Sequence, residues 1–241
     1  MANHERAPIA LTLQETTRRW TAEEIPVLEA AITLPHFAPG DAPRAAARLN
    51  RYYAQCLRAF VFYCNRELYP GALADWEAAR RRGAPLPCAR ANLTCTVACH
   101  TGSLLSLYLN CTERARSPEA LTLRRADVWD LRRGTPIRAQ DCFPPGARLR
   151  KRFLEAARSQ YAQRCTAGMV RSVPHWQRRL RRYLNLRNFY LGEDGLYFFY
   201  QPYTIAASGT ECPTFFLPFS AETGPFPPPD CSSCQTEKSV V

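Results

Sequence analysis

The chain has 241 residues, 46% hydrophobic and 11% aromatic, which is enough apolar surface for a substantial core and argues against disorder. No run approaches the ~20 apolar residues that a membrane helix needs, and the N-terminus lacks the charged, apolar and small-residue succession of a secretory signal, so the sequence reads as cytoplasmic as encoded. The net charge is +11, carried almost wholly by arginine, since Lys151 and Lys238 are the only lysines. Such a charge suits a polyanion partner, although an arginine-favouring codon bias would give the same total.

Residues 1–23 read as a polar lead-in. Ile25 to Leu34, IPVLEAAITL, reads as a first strand ended by Pro35. Asp41 is a good N-cap, and Pro43 suits the first turn of the helix that follows. In that helix Ala45, Leu49, Tyr52, Cys56, Phe60 and Tyr63 recur at steps of three or four, one apolar stripe, with Arg44, Arg51 and Arg58 opposite. Pro70-Gly71 should break or kink it before a second helix, Ala72 to Arg82.

From Ala89 the period changes to two. Ala89 to Cys99 and Leu104 to Arg114 read as a strand pair, and Ala120 to Leu131 as a third strand. Residues 147–166 form a helix with Leu149, Phe153, Leu154, Ala157, Tyr161 and Cys165 on its apolar side. Pro174 to Tyr183 reads as a short, very basic helix. From Asn188 to Ser220 the chain reads NFYLGEDGLYFFYQPYTIAASGTECPTFFLPFS. Two aromatic runs flank Asp194-Gly195, which suits the positive-φ positions of a tight hairpin turn. A third run, Thr214 to Phe219, completes the set, and core packing is the expected role of these aromatics. Residues 223–241 read as a Pro-rich tail. Strand and helix blocks are segregated, so the expected fold is α+β, a mixed or antiparallel sheet packed against helices.

Eleven cysteines in a long chain without a signal point to reduced, mostly buried thiols. Cys231-x-x-Cys234 has the spacing of half a zinc site, but a second such pair is missing, so no cofactor is expected. Asp127, Asp130 and Asp141 lie close in sequence, where turn and capping roles outweigh acid–base work. There is no G-x-S-x-G and no H-E-x-x-H, so no catalytic residue is assigned. The basic stretch HWQRRLRRYLNLR carries Arg178, Arg179, Arg181, Arg182 and Arg187 beside Trp176 and Tyr183. Trp176, Leu180, Tyr183 and Leu184 fall at helical spacing and should face the core, leaving the arginines as a solvated face and the candidate binding residues.

Several segments, in order, resemble the extracytoplasmic domain of RsiV-type anti-sigma factors, found also beside the deacetylase of PdaC-type proteins. These are ITLPHF with the helix after it, TCTVACHTGSLLSLYLNCTE, ADVWDLRRGTPIRAQDCFPPG and the terminal aromatic segment. The resemblance covers residues 24–222, with halves at 24–116 and 117–222. Where such domains carry a Gly-Gly-Ala-His-like segment, this chain reads ERARSPEALTL. The resemblance implies a non-catalytic binding or sensing module for a protein or a cell-envelope glycan. Lysozyme, the partner of the sensing domain, is itself cationic, and the charge of this chain argues against it. An enzyme on envelope polymers and a basic nucleic-acid binder are the rival readings.

Overall fold

A computed structural model describes residues 9–40, 42–114, 120–170 and 173–228. The fold is α+β, with a six-stranded sheet in the order β1-β2-β3-β4-β5-β6 and a three-stranded sheet β7-β8-β9. In the larger sheet β2 (Ile25–Phe37) and β3 (Ala89–His100) run parallel, and every other pair is antiparallel. The parallel pair needs a crossover, which α1 (Pro43–Tyr63) and α2 (Tyr69–Arg81) supply across one face.

The segment expected as a polar lead-in holds β1 (Leu11–Ala22), which pairs with β2 along its length. Its residues are mostly exposed because it is an edge strand, and its charged and threonine side chains protect that edge. Asp41, the expected N-cap, lies outside the described residues. Ala42 holds the cap position without a side-chain bond, and Pro43 opens α1 as expected. At Pro70 the helix neither breaks nor ends. A π turn, Cys64–Leu68, joins α1 to α2, with the Tyr69 N–H bonded to the Cys64 carbonyl five residues back. The wider turn accommodates a proline that has no N–H and crowds the preceding turn.

β3 and β4 (Leu104–Arg114) form the central hairpin. A bulge between Val97 and Cys99 switches the side-chain alternation, so Cys95 faces the α1 side while Cys99 faces the other. β5 (Leu121–Asp130) also serves both sides, with Trp129 in one core and Val128 in the other. The turn after it needs Gly134, whose φ is +63° and whose added Cβ would lie 2.8 Å from the Ala45 backbone. It leads to β6, Thr135–Pro136.

The opposite face of the large sheet is covered by α3 (Leu149–Thr166), α4 (Trp176–Tyr183) and the small sheet of β7 (Phe189–Leu191), β8 (Gly195–Phe199) and β9 (Thr214–Pro218). Phe153 and Tyr161 of α3 pack on Phe198 and Phe215. Two buried tyrosines place their hydroxyls on carbonyls, Tyr161 on Ile205 at 2.6 Å and Tyr200 on Leu180 at 3.0 Å. The centre of the β7–β8 turn is Glu193-Asp194, not Asp194-Gly195, and neither central residue has positive φ. Gly195 is required for another reason. A Cβ there would lie 2.3 Å from the Leu217 carbonyl oxygen and 2.5 Å from the Phe216 ring.

The two sheets are joined where the buried Ser106 hydroxyl of β4 accepts the Leu191 N–H of β7 at 2.7 Å. Two open strand edges, those of β5 and β9, are each engaged at one residue by a side-chain amide. Gln201 accepts from the Arg124 N–H and donates to its carbonyl, at 3.1 and 2.6 Å. Gln160 does the same for Phe216, at 3.0 and 2.6 Å. Ser106→Ala leaves the Leu191 N–H buried and unpaired, and urea denaturation should show a loss of about 1–3 kcal/mol.

Candidate functional site

The expected binding arginines lie on and just after α4. Arg178, Arg181, Arg182 and Arg187 are exposed and Arg179 is half-buried. The helix is amphipathic as its spacing predicts, with Leu180 buried and Trp176 packed on Tyr161 at 4.9 Å between ring centroids. Arg179 donates to the Tyr203 carbonyl at 2.8 Å, and Arg150 of α3 donates to the Arg181 carbonyl at 2.6 Å. Tyr183 is exposed, unlike the core position expected for it, with the guanidinium groups of Arg179 and Arg182 5.9 and 5.4 Å from its ring centroid.

Cys231 and Cys234 lie outside the described residues. Among the described cysteines, Cys88 is exposed where the others are buried or half-buried. Burial pushes the Cys95, Cys111 and Cys142 thiols up to about 12 and Cys64 to about 11, with nearby carboxylates adding to the shift. Such thiols stay protonated near neutral pH and are poor nucleophiles. Among the described residues no group of three His, Cys, Asp or Glu side chains could hold a metal ion.

The three aspartates do separate work. Asp130 accepts the N–H groups of Arg132 and Arg133 in the turn after β5, and Asp141 accepts the Arg138 N–H and pairs with its guanidinium. A surface hollow of about 390 Å³ beside Asp141 is lined by Phe143, Pro144, Pro145 and Leu149, and its one acid is already tied to Arg138. Asp127 faces α1. Its Oδ1 accepts the Tyr52 hydroxyl at 2.6 Å and lies 3.4 Å from Arg125, while its buried Oδ2 has no hydrogen-bond partner among the described residues. Burial raises the Asp127 carboxyl above its ordinary range against the pull of Tyr52 and Arg125. Burial and Asp127 together hold the Tyr52 phenol well above its own. This cluster ties α1 to β5.

A different arrangement lies on the small sheet's other face. Tyr190, Tyr197 and Phe216 are direct cross-strand neighbours on β7, β8 and β9. Tyr190 and Tyr197 stack within 5° of parallel at 5.1 Å, and Tyr197 meets Phe216 at 4.9 Å. Tyr108 of β4 extends the row, 5.0 Å from Tyr190. All four rings are half-buried, so the row presents ring surface to solvent across the junction of the two sheets. Gly192 and Gly195 make room for it, since a Cβ at either would strike the Tyr197 or Phe216 ring. At the Tyr108 end sits Arg124, its guanidinium 4.4 Å from the Tyr108 centroid. It donates to Asn110 at 2.9 Å and Thr214 at 3.2 Å, and among the described residues no carboxylate pairs with it. Sequence alternation placed these aromatics on strands, but it could not say which face the core covers.

The comparisons agree with this architecture. Residues 140–220 match the family model described as "Protein of unknown function (DUF3298)". The matched segment spans α3, α4 and the small sheet, with three of the four rings. A crystal structure of a DUF3298 family member from Bacteroides fragilis NCTC 9343 is similar over 87% of this chain and 90% of its own, at 13% identity and a TM-score of 0.62. A DUF3298 family protein from Pseudomonas aeruginosa PAO1 is similar over 89% and 92%, at 16% identity and a TM-score of 0.55. At these identities the likeness is one of fold. No curated protein matches the chain.

Asp127 gives the structure a pH dependence of definite sign. Its carboxyl binds the proton more tightly when folded, so it costs no stability below its unfolded value near 3.8, and the cost grows as pH rises through the raised folded value. Urea denaturation of Asp127→Asn at pH 4 and pH 7 should show a smaller loss across that interval than the native chain.

Proposed function

We propose that the chain is a non-catalytic binding module whose ligand is a cell-envelope glycan laid along the row Tyr108, Tyr190, Tyr197 and Phe216. The observation that carries this reading is the row itself. Four rings from four strands share one solvent-facing surface, held by two glycines and by the junction of two sheets. Sugar rings present flat patches of C–H that pack on aromatic faces, and aromatic side chains supply large, rigid contact area at small entropic cost. Arg124 and Asn110 at one end add donors for hydroxyl, carboxylate or phosphate groups. Their place beside the rings gives a site that is mostly apolar with a few oriented polar groups.

The residues that could do chemistry support a role without it. The aspartates are engaged one by one in structural bonds, and the buried thiols are held protonated. The resemblance to RsiV-type and PdaC-type extracytoplasmic domains, quoted above on its segments, supports an envelope ligand. Protein sensing remains the role that the resemblance alone would give, and nothing in the ring row favours it over a sugar chain.

Isothermal titration with soluble glycan strands released from purified bacterial cell wall tests the proposal. Tyr190→Ala combined with Tyr197→Ala should weaken binding at least about tenfold, equivalent to ~1.4 kcal/mol, with the circular-dichroism melt retained. Failure of the native chain to bind at millimolar strand concentration, or equal binding by the double variant, would sink it.

A further inference from the structure

The charge of this protein is not spread over it. Of 32 basic and 21 acidic residues, the stretch from Arg148 to Arg187 holds twelve basic and one acidic, Glu155, and the rest of the chain holds twenty of each. The entire net charge of +11 thus belongs to α3, α4 and the residues around them. A uniform arginine codon bias would raise the basic count everywhere and would not empty one segment of acids.

The fold brings these cations together. Arg150 reaches across from α3 to the Arg181 carbonyl on α4, and Arg150 and Arg158 both lie close enough to the Tyr200 hydroxyl to act on its ionisation. Arg178, Arg181 and Arg182 share an exposed side of α4 at helical spacings of three and four. Among the described residues the ion pair within this stretch is Lys151–Glu155 at 3.7 Å, and none of its arginines pairs with a carboxylate. Like charges held this close repel, and bound anions relieve that repulsion.

We infer that the α3–α4 face docks the phosphodiester backbone of a nucleic acid, on a surface independent of the ring row. Two observations choose this partner among polyanions. A membrane surface would use an exposed apolar side of α4, but Leu180 and Leu184 are buried and Trp176 is packed on Tyr161. A wall polymer of sugar or polyol phosphates has no bases to stack, whereas this face carries exposed Tyr183 flanked by Arg179 and Arg182. Arginine also suits phosphate better than lysine because its fork donates two parallel hydrogen bonds.

Fluorescence anisotropy with a labelled 20-base-pair DNA duplex, from 50 to 200 mM salt, tests this. Four phosphate contacts would weaken native binding about hundredfold over that range. Arg178→Glu, Arg181→Glu and Arg182→Glu together should cut affinity at 50 mM salt at least about tenfold and lower the salt slope by about 3. A control variant, Arg44→Glu, Arg51→Glu and Arg58→Glu on α1, changes net charge equally and should bind close to the native level. Equal losses in the two variants would mean that total charge acts and the face does not. Absence of duplex binding at 50 mM salt would overturn the inference, and so would capture by phosphatidylglycerol vesicles that DNA fails to compete.

Discussion

Everything in this molecule depends on β4 having two faces to bury. Leu105, Leu107 and Leu109 point toward α1 and α2, while Leu104, Ser106 and Tyr108 point toward the small sheet. A strand covered on both sides cannot show the alternation of a half-exposed one, and LLSLYL is nearly continuous in apolar character. Its single buried polar side chain, Ser106, is also a point where the second sheet is hydrogen-bonded to the first. Burial there is apolar and non-directional, so this directed bond, with the Arg124–Thr214 bond between β5 and β9, fixes where the small sheet sits on the large one.

Much of the architecture was legible because local patterns agreed with their surroundings. The central hairpin, the apolar side of α3, the amphipathic α4 and the three final strands all follow from period and punctuation. Other features depended on tertiary context. β1 is too polar to announce itself, since an edge strand has little to bury. The continuity from α1 to α2 through Pro70 required a π turn that no residue type demands. The bulge after Val97 reverses facing without changing composition.

The candidate site was harder to read for a related reason. Tyr190, Tyr197 and Phe216 alternate correctly with Phe189, Phe198 and Phe215, and both sets are aromatic. Alternation separates two faces but does not label them. Only the packing of Phe153 and Tyr161 against one set leaves the other to solvent. Arg124 gives no signal in a chain so rich in arginine. The basic face was half legible: the α4 arginines stand out in sequence, but their convergence with Arg150 and Arg158 is a product of helix docking.

The paired amides of Gln160 and Gln201 have a consequence for how this fold meets other molecules. Each occupies both backbone hydrogen-bonding groups of a strand residue that a foreign β-segment would otherwise engage. At those positions the sheets are sealed against extension by another chain. On the β5 and β9 edges recognition is thereby directed away from main-chain templating and toward side-chain surfaces. The same seal guards against growth into edge-to-edge assemblies, a hazard for a protein built around aromatic strands.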